Sequence, residues 1–323
     1  MKLFLIVALF IYCVNGDEYI SDGLQPLTDE IVNAINALNT TWKAGKSFGG
    51  SSSVEIDTLV PTQEKYSAKA DFPMRKYGSF RLPVNFDSSR VWLNCTSIGK
   101  IYDQTKGYPS WIYTAVGTIA DRLCIRHGIQ IDVEATVKKM AEWNVGSNSY
   151  NNSANIGQAF QYWSKNGIFA VELTKESSCL PFSQKCQPNE IKITKYFKLK
   201  NECIDNETEL MKSITLFGSV SAYMEVYSDF LNYRSGVYKR SSKNYLGVQN
   251  MKIIGWGTEK GVDYWLAAGS WGTQWGEEGF FRIQRQPQQF GAVPNPIATE
   301  FLPVNDVKDI HSYVHGQLFY LAK

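Results

Sequence analysis

Apolar residues at helical spacing mark the clearest element of the chain. Between positions 111 and 127 they fall on one stripe, and that stripe predicts a helix. Pro109 stands at its entrance and Gly128 just past its exit, which are favoured places for these residues. Weaker patterns predict a short helix within 26–45, a helix over 156–166 and a third helix that begins near Asn206.

The C-terminal half changes to patterns typical of strands. Apolar and β-branched runs predict strands over 220–226, 248–255, 262–268 and 279–283, with glycines supplying turns and bulges between them. The segment 45–80 is rich in Ser, Gly and Lys with weak periodicity, which predicts an extended linker. A helical first part and a β-rich second part predict an α+β fold.

The N-terminus has the pattern of a secretory signal peptide over residues 1–16. A basic start is followed by an apolar run too short to span a bilayer and then by a small residue. The alternative is a buried N-terminal strand or helix. No later stretch predicts a membrane span, and the net charge of +2 gives no argument for a nucleic-acid or anionic membrane partner. We therefore expect a soluble protein that is secreted or held in lysosome-like vesicles.

Five cysteines remain once the leader, with Cys13, is removed. In an oxidising compartment they predict disulfides, and their odd number leaves one thiol unpaired. No pair has the spacing of a zinc site beside histidines, so we expect no metal and no cofactor. Asn-x-Ser/Thr sequons predict glycosylation at Asn39, Asn94, Asn151 and Asn206.

Several longer segments share a family resemblance. Gly-Tyr-Pro-Ser-Trp at 107–111, with Asp103 and Gln104 before it, resembles the nucleophile region of the papain-like cysteine peptidases, most closely their cathepsin B branch. Segments 247–257 and 264–272 resemble the other two catalytic regions. Residues 27–42 are similar to a propeptide, and 82–87 resemble the start of a mature domain. The resemblance covers about 27–303.

The resemblance implies a two-domain papain-like fold. A helical left domain and a β-barrel-like right domain would flank a cleft. It further implies a propeptide at 17–81 that lies across the cleft, and a peptidase domain at 82–304 with a helical lobe over about 82–168 and a β-rich lobe over about 169–304. Residues 305–323 form a C-terminal tail of no assigned role.

All three catalytic positions implied by the resemblance are altered. Where the family has its nucleophilic Cys, its His base and its orienting Asn, this chain has Ser110, Gln249 and Gly269. A serine hydroxyl needs a base, glutamine accepts no proton near neutral pH, and glycine has no side chain to orient a base. Gln104 matches the oxyanion-hole glutamine. We therefore predict a catalytically inactive homologue.

An altered hydrolase is the alternative, with Ser110 helped by Gln104 and the helix dipole. A Ser–Lys dyad with Lys252 is disfavoured because Lys252 lies three residues after Gln249, on the opposite face of an extended strand. None of the three histidines, His127, His311 and His315, matches the base position.

The resemblance also bears on binding and on the cysteines. Ser153 and Ala154 stand where the family has a Gly-Gly that meets substrate, whereas Trp271 is retained, and the occluding loop is deleted. The implied disulfides are Cys95–Cys124 and Cys179–Cys186, with Cys203 free; pairing of Cys203 with Cys179 or Cys186 stays open.

We expect a peptide, a protease inhibitor or another protein as partner, a structural or storage role being the further alternative. The oligomeric state is not predicted.

Overall fold

The computed structural model describes residues 12–14, 17–48, 56–60, 76–142, 168–171, 193–197, 199–204, 207–285 and 298–303. Six α-helices occur in these ranges: α1 Asp29–Ala37, α2 Ile56–Leu59, α3 Ser88–Val91, α4 Ser110–His127, α5 Val133–Glu142 and α6 Glu207–Phe217. Short 3-10 turns lie at Gln104–Lys106 and Phe230–Asn232.

Strands β1 to β13 are, in chain order, Tyr12–Val14, Asp17–Tyr19, Trp42–Ala44, Phe86–Asp87, Ile168–Val171, Ile193–Phe197, Leu199–Ile204, Val220–Tyr227, Tyr233–Tyr238, Tyr245–Glu259, Val262–Ala268, Phe280–Gln284 and Ala298–Pro303. Nine of them form one sheet in the order β3-β9-β12-β11-β10-β8-β13-β7, with β4 added to β10. Two-stranded pairs, β1–β2 and β5–β6, stand apart.

The helix predicted over 111–127 is confirmed, and it begins one residue earlier at Ser110. Gly128 closes it in the left-handed conformation, with φ of 67°, and donates its amide to the carbonyl of Cys124 at 2.8 Å. The helix expected near Asn206 is α6. The helix predicted within 26–45 ends at Ala37, and β3 follows it. The prediction over 156–166 lies outside the described residues, and α5 was missed.

All four predicted strands are present as β8, β10, β11 and β12. Neighbours in the sheet are antiparallel except β12 and β9, which are parallel. The strand order runs from edge to edge without returning on itself, so the described part of the β-rich lobe is an open sheet and the expected barrel-like closure is not seen.

Two large buried clusters define two lobes. One is formed by α4 and α5, around Val116, Leu123 and Val137. The other lies against the large sheet and includes Trp256, Trp275 and Phe281. Strand β10 runs between them, because it pairs within the sheet while α4 packs across it. The α+β, two-lobed expectation is therefore confirmed.

The segment expected to be a propeptide is packed into the core of the β-rich lobe. Ile31, Ile35 and Trp42 are fully or almost fully buried within the same cluster as the sheet residues. Strand β3 pairs with the sheet edge at β9, which places Trp42 opposite Gly236. The prediction of an extended linker over 45–80 is wrong at 56–59, where the chain forms α2.

A disulfide joins Cys95 to Cys124, and so ties the loop before the site to α4. Cys179 and Cys186 lie outside the described residues, as do Ser153, Ala154, Asn151 and Asn206, and nothing is described of the Cys203 side chain. Asn39 and Asn94 are exposed. None of the described helices is both long and apolar enough to cross a membrane.

Gly255 lies on β10 opposite Asp87 of β4, and the paired strands leave no room there for a side chain. A Cβ there would lie 2.1 Å from the carbonyl oxygen of Phe86. We expect Gly255→Ala to lower the free energy of unfolding by about 2 kcal/mol or more, as in overpacked cores. Urea denaturation measures this. Gly99→Ala is the control, since its nearest neighbour would be 4.0 Å away; equal losses in the two variants would contradict the steric account.

Candidate active site

Ser110 opens α4, and its side chain is only 3% exposed. Pro109 precedes it in an extended conformation, which suits the entrance of a helix. The hydroxyl oxygen of Ser110 accepts from the Asn250 side-chain amide at 3.1 Å and from the Asn250 backbone amide at 3.4 Å. Both groups are donors, so neither can remove the hydroxyl proton.

Gln249 precedes Asn250 on β10 and therefore points to the other face of the strand. It is 2% exposed. Its Nε2 donates to Oε1 of Gln104 at 2.7 Å and to the hydroxyl of Ser270 at 3.2 Å. In the reversed orientation of the amide, Nε2 would instead lie 3.2 Å from the carbonyl oxygen of Leu59. Either orientation gives a neutral amide network, which holds no general base.

Gln104 begins the 3-10 turn that precedes α4. Asp103 caps this turn, and the Gln104 backbone amide donates to the carbonyl of Ser270 at 2.8 Å, which fixes the turn against the loop after β11. The Ser270 hydroxyl donates to Oε1 of Gln104 at 2.7 Å, and Nε2 of Gln104 donates to the carbonyl oxygen of Leu59 at 2.9 Å. The donor expected for an oxyanion is therefore bonded to the chain itself.

Trp271 donates to the same carbonyl group. Its indole Nε1 lies 3.1 Å from the oxygen of Leu59, and its ring packs edge-on against Trp275 with centroids 4.7 Å apart. Leu59 ends α2 and is fully buried. Two side-chain donors thus converge on one main-chain oxygen at the centre of the site.

Gly269 directly follows the last residue of β11. Its amide donates to the carbonyl of Gly279 at 3.1 Å, so the backbone is anchored although no side chain is present. A Cβ there would come no closer than 3.5 Å to any neighbour, the nearest being that same carbonyl and then Trp275. The space at this position therefore admits the first atom of a side chain.

Lys252 points toward α4 and away from Gln249. Its ammonium group lies 2.9 Å from Oδ2 of Asp121 and 2.9 Å from the carbonyl oxygen of Ser97, in a buried ion pair. The Ser–Lys alternative therefore lacks a free lysine. His127, at the opposite end of α4, lies about 25 Å along the helix axis from Ser110, at about 1.5 Å per residue. His311 and His315 lie outside the described residues.

A small cavity separates Gly269 from α4. Its volume is about 10 Å³, which is the size of one water molecule. The cavity is lined by Lys100, Tyr102, Tyr113, Thr114, Lys252, Ala268, Gly269 and Ser270. Burial, with a further contribution from Asp121, raises the pKa of Tyr102, whose hydroxyl has no hydrogen-bond partner among the described residues. A space of this size suits a single water molecule.

With this geometry established, comparison with known proteins places the chain. Residues 82–299 match the model of the papain family of cysteine proteases. The chain belongs to the papain family. It is 29% identical over 303 residues to a cathepsin B-like cysteine proteinase of Schistosoma japonicum, covering 81% of this chain and 87% of that protein. It is 34% identical over 238 residues to a gut-specific cysteine proteinase of Caenorhabditis elegans, covering 65% and 71%.

Solved structures agree. Procathepsin B S9 from Trypanosoma congolense superposes with a TM-score of 0.66 at 25% identity, covering 87% of this chain and 99% of that one. Digestive procathepsin L 3 of Tenebrio molitor gives a TM-score of 0.59 at 17% identity, covering 85% and 86%, a likeness of fold. The chain is therefore a cathepsin B-like homologue with a papain-like fold.

The structure brings Gln249, Gln104 and Trp271 together near Leu59. Ser110 instead contacts Asn250, on the other face of β10, and Ser153 and Ala154 lie outside the described residues. Sequence reasoning missed Asn250, Ser270 and Leu59. The first two adjoin predicted positions, and strand alternation alone would have placed Asn250 opposite Gln249. No local signal marks Leu59.

Among the described residues, no group of three or more His, Cys, Asp or Glu side chains could hold a metal ion.

Residues 229–241, which include the 3-10 turn at Phe230–Asn232 and strand β9, contact the N-terminal segment. The side-chain oxygen of Asn232 accepts a hydrogen bond from the Leu27 amide at 3.0 Å, and its backbone carbonyl accepts one from the Gly45 amide at 2.9 Å. The Trp42 indole donates to the carbonyl of Lys239 at 2.8 Å. In the same segment Asp229 is fully buried and accepts a hydrogen bond from the hydroxyl of Tyr238 at 3.1 Å.

Burial raises the pKa of Asp229 from 3.8 to about 6, against the opposing hydrogen bonds from Ser241 and Tyr238. The folded protein therefore holds this proton more tightly than the unfolded chain does. The stability gained from protonation is complete well below pH 4 and is lost as the pH rises through 6.

We expect the contribution of Asp229 to the free energy of unfolding to fall by about 2 kcal/mol between pH 4 and 7, since the full effect of about 1.4 kcal/mol for each unit by which the pKa is raised is reached only well below pH 4. Urea denaturation at a series of pH values measures it. Asp229→Asn should flatten this part of the profile, whereas Asp22→Asn, at an exposed aspartate, should leave it in place. A profile that Asp229→Asn does not alter would overturn the assignment.

Proposed function

We propose that this chain is a cathepsin B-like peptidase homologue without peptidase activity, which acts by binding a peptide or protein partner. The observation that carries the proposal is the Gln249 amide, which lies in a neutral network with Gln104 and Ser270 where the resemblance places a histidine base. An amide neither accepts nor stores a proton near neutral pH.

The surroundings of Ser110 support the same conclusion. Its hydroxyl oxygen accepts hydrogen bonds from Asn250. Lys252, on the same strand as Asn250, is paired with Asp121. General-base assistance contributes about 10²–10⁴-fold to such reactions. A serine without it, replacing a thiol, loses both the base and the more acidic nucleophile.

The N-terminal leader and the Cys95–Cys124 disulfide support a secreted or vesicular setting. In that setting Asn39 and Asn94, both exposed within sequons, are candidate glycosylation sites. The partner we infer is a peptide, a protease inhibitor or another protein that recognises the retained papain-like surface.

Restoring the family residues tests the proposal. We expect no peptide hydrolysis by the native chain, with or without an added protease to remove the N-terminal segment, and turnover by the Ser110→Cys, Gln249→His, Gly269→Asn triple variant. Hydrolysis of fluorogenic peptides measures this. The space at Gly269 admits the first atom of an asparagine side chain.

Ser110→Cys alone is the matched control, since it restores the nucleophile without its base. Turnover by the native chain that Ser110→Ala abolishes would instead establish the alternative, a hydrolase that uses Ser110. If the triple variant is also silent, restoring the three residues is not sufficient for hydrolysis, and we then infer that a partner binds on another surface.

A further inference from the structure

We propose that Tyr19 is a site of tyrosine O-sulfation, and that Arg240 and Lys243 receive the sulfate group. Tyr19 is the last residue of β2 and is partly exposed. Its hydroxyl oxygen accepts a hydrogen bond from the Arg240 guanidinium at 3.3 Å, so a group added to that oxygen lies beside a cation. The inference rests on the secreted setting of the proposed function and is independent of whether the chain hydrolyses peptides.

Acidic residues surround Tyr19 in the sequence. Asp17 and Glu18 directly precede it, and Asp22, which is exposed, follows three positions later. Carboxylates beside a tyrosine favour the basic substrate groove of an enzyme that transfers sulfate, because opposite charges steer the segment into the groove. Tyr245, in comparison, has no acidic residue within five positions on either side. The sequence around Tyr19 therefore has the charge that such an enzyme recognises.

Removal of the leader would make the Tyr19 segment accessible to an enzyme. Strand β2 pairs with β1, which places Tyr12 opposite Tyr19. Cleavage after residue 16 takes β1 away and leaves the backbone of 17–19 free to add to another protein as an extended strand. Ile20 stays in place, because its side chain is buried and its amide donates to the carbonyl of Ser241 at 2.8 Å. The modified tyrosine then returns to a fixed position.

The receiving groups are two cations among aromatic rings. The Arg240 guanidinium lies 4.5 Å from the ring centroid of Tyr227 and 5.6 Å from that of Tyr19. The Lys243 ammonium lies 5.1 Å from the Tyr19 centroid. Glu225 accepts a hydrogen bond from the Tyr227 hydroxyl at 2.8 Å, so its carboxylate is held by a phenol.

Arg240 has a donor to spare for the sulfate. Its Nε is buried and has no hydrogen-bond partner among the described residues. A buried donor left without a partner keeps its desolvation cost. A sulfate ester on Tyr19 adds acceptor oxygens beside the guanidinium and a negative charge close to both Arg240 and Lys243, and such charge-assisted hydrogen bonds are stronger than neutral ones.

The transfer itself is a simple substitution at sulfur. The phenolic oxygen of Tyr19 attacks the sulfur of an adenylyl sulfate donor, so that an oxygen–sulfur bond forms while the donor's bond between sulfur and phosphate oxygen breaks. The phenolic proton passes to a base of the transferase, and an adenosine phosphate leaves. Neither an oxidant nor a reductant is consumed.

Mass spectrometry of the chain secreted by cultured animal cells tests the modification. We expect the peptide that contains Tyr19 to carry a sulfuryl group, which phosphatase leaves in place and chlorate in the medium, a blocker of sulfate-donor synthesis, prevents. Tyr19→Phe should remove the added mass, whereas Tyr245→Phe is the matched control and should keep it. An unmodified secreted chain, or an added group that phosphatase removes, would overturn the proposal.

A synthetic peptide decides if the chain does not reach the medium. Residues 17–25 are then incubated with a tyrosine sulfotransferase and its adenylyl sulfate donor. Transfer of sulfate to Tyr19 supports the proposal, and absence of transfer overturns it.

Amide hydrogen exchange at Ile20 tests the receiving groups. We expect this amide to exchange roughly 2- to 5-fold more slowly in the sulfated protein than in the unmodified one, as an ion pair near the surface implies. Arg240→Gln should remove the difference, whereas Arg90→Gln, at an exposed arginine, should keep it. Equal exchange in the two forms would overturn the assignment of Arg240 and Lys243. Peptide hydrolysis by the native chain would contradict the proposed function and leave the sulfate in place, so the two failures remain distinct.

Discussion

The register of β10 against α4 is the constraint on which the site depends. Asn250 and Lys252 project from one face of the strand, where they meet Ser110 and Asp121 of the helix. Gln249 projects from the other face toward Gln104. Because side chains alternate along a strand, a slip of one residue would exchange these faces and carry Lys252 away from Asp121.

A buried polar network holds that register. The carboxylate of Asp121 receives Lys252, the Ser97 hydroxyl and the Ser219 hydroxyl, so each of its oxygens has a donor. Arg122, the next residue of α4, donates to the carbonyl of Ser219 at 2.9 Å. Such a network contributes little net stability compared with an apolar core, but it is costly to misalign, because any shift would leave a buried charge without its partner. It therefore fixes where the helix N-terminus, and Ser110 with it, stands relative to the sheet.

Local patterns predicted most of the elements but not the contacts that define the site. The helix α4 and the strand β11 follow from apolar periodicity and from the glycines that bound them. α5 was not predicted, although Val133, Val137 and Met140 have helical spacing and are buried. Strand β9 was missed because Gly236 interrupts its pattern; the glycine is required there, since a Cβ would lie 2.6 Å from the carbonyl of Thr41.

The pairing of Leu59 with Gln104 spans 45 positions in a segment without periodicity, so no local signal could reveal it. The resemblance implies that all three catalytic positions are altered, and the structure shows what surrounds the residues now there. The serine hydroxyl accepts hydrogen bonds from Asn250, the glutamine amide bonds another glutamine, and the glycine is anchored by its backbone, so none of the three positions carries a charge. A catalytic site must keep a reactive group incompletely satisfied until substrate arrives. Here Gln104, Gln249 and Ser270 bond to one another, and Gln104 and Trp271 bond to a buried carbonyl of the same chain, which is the observation on which the proposed loss of hydrolysis depends.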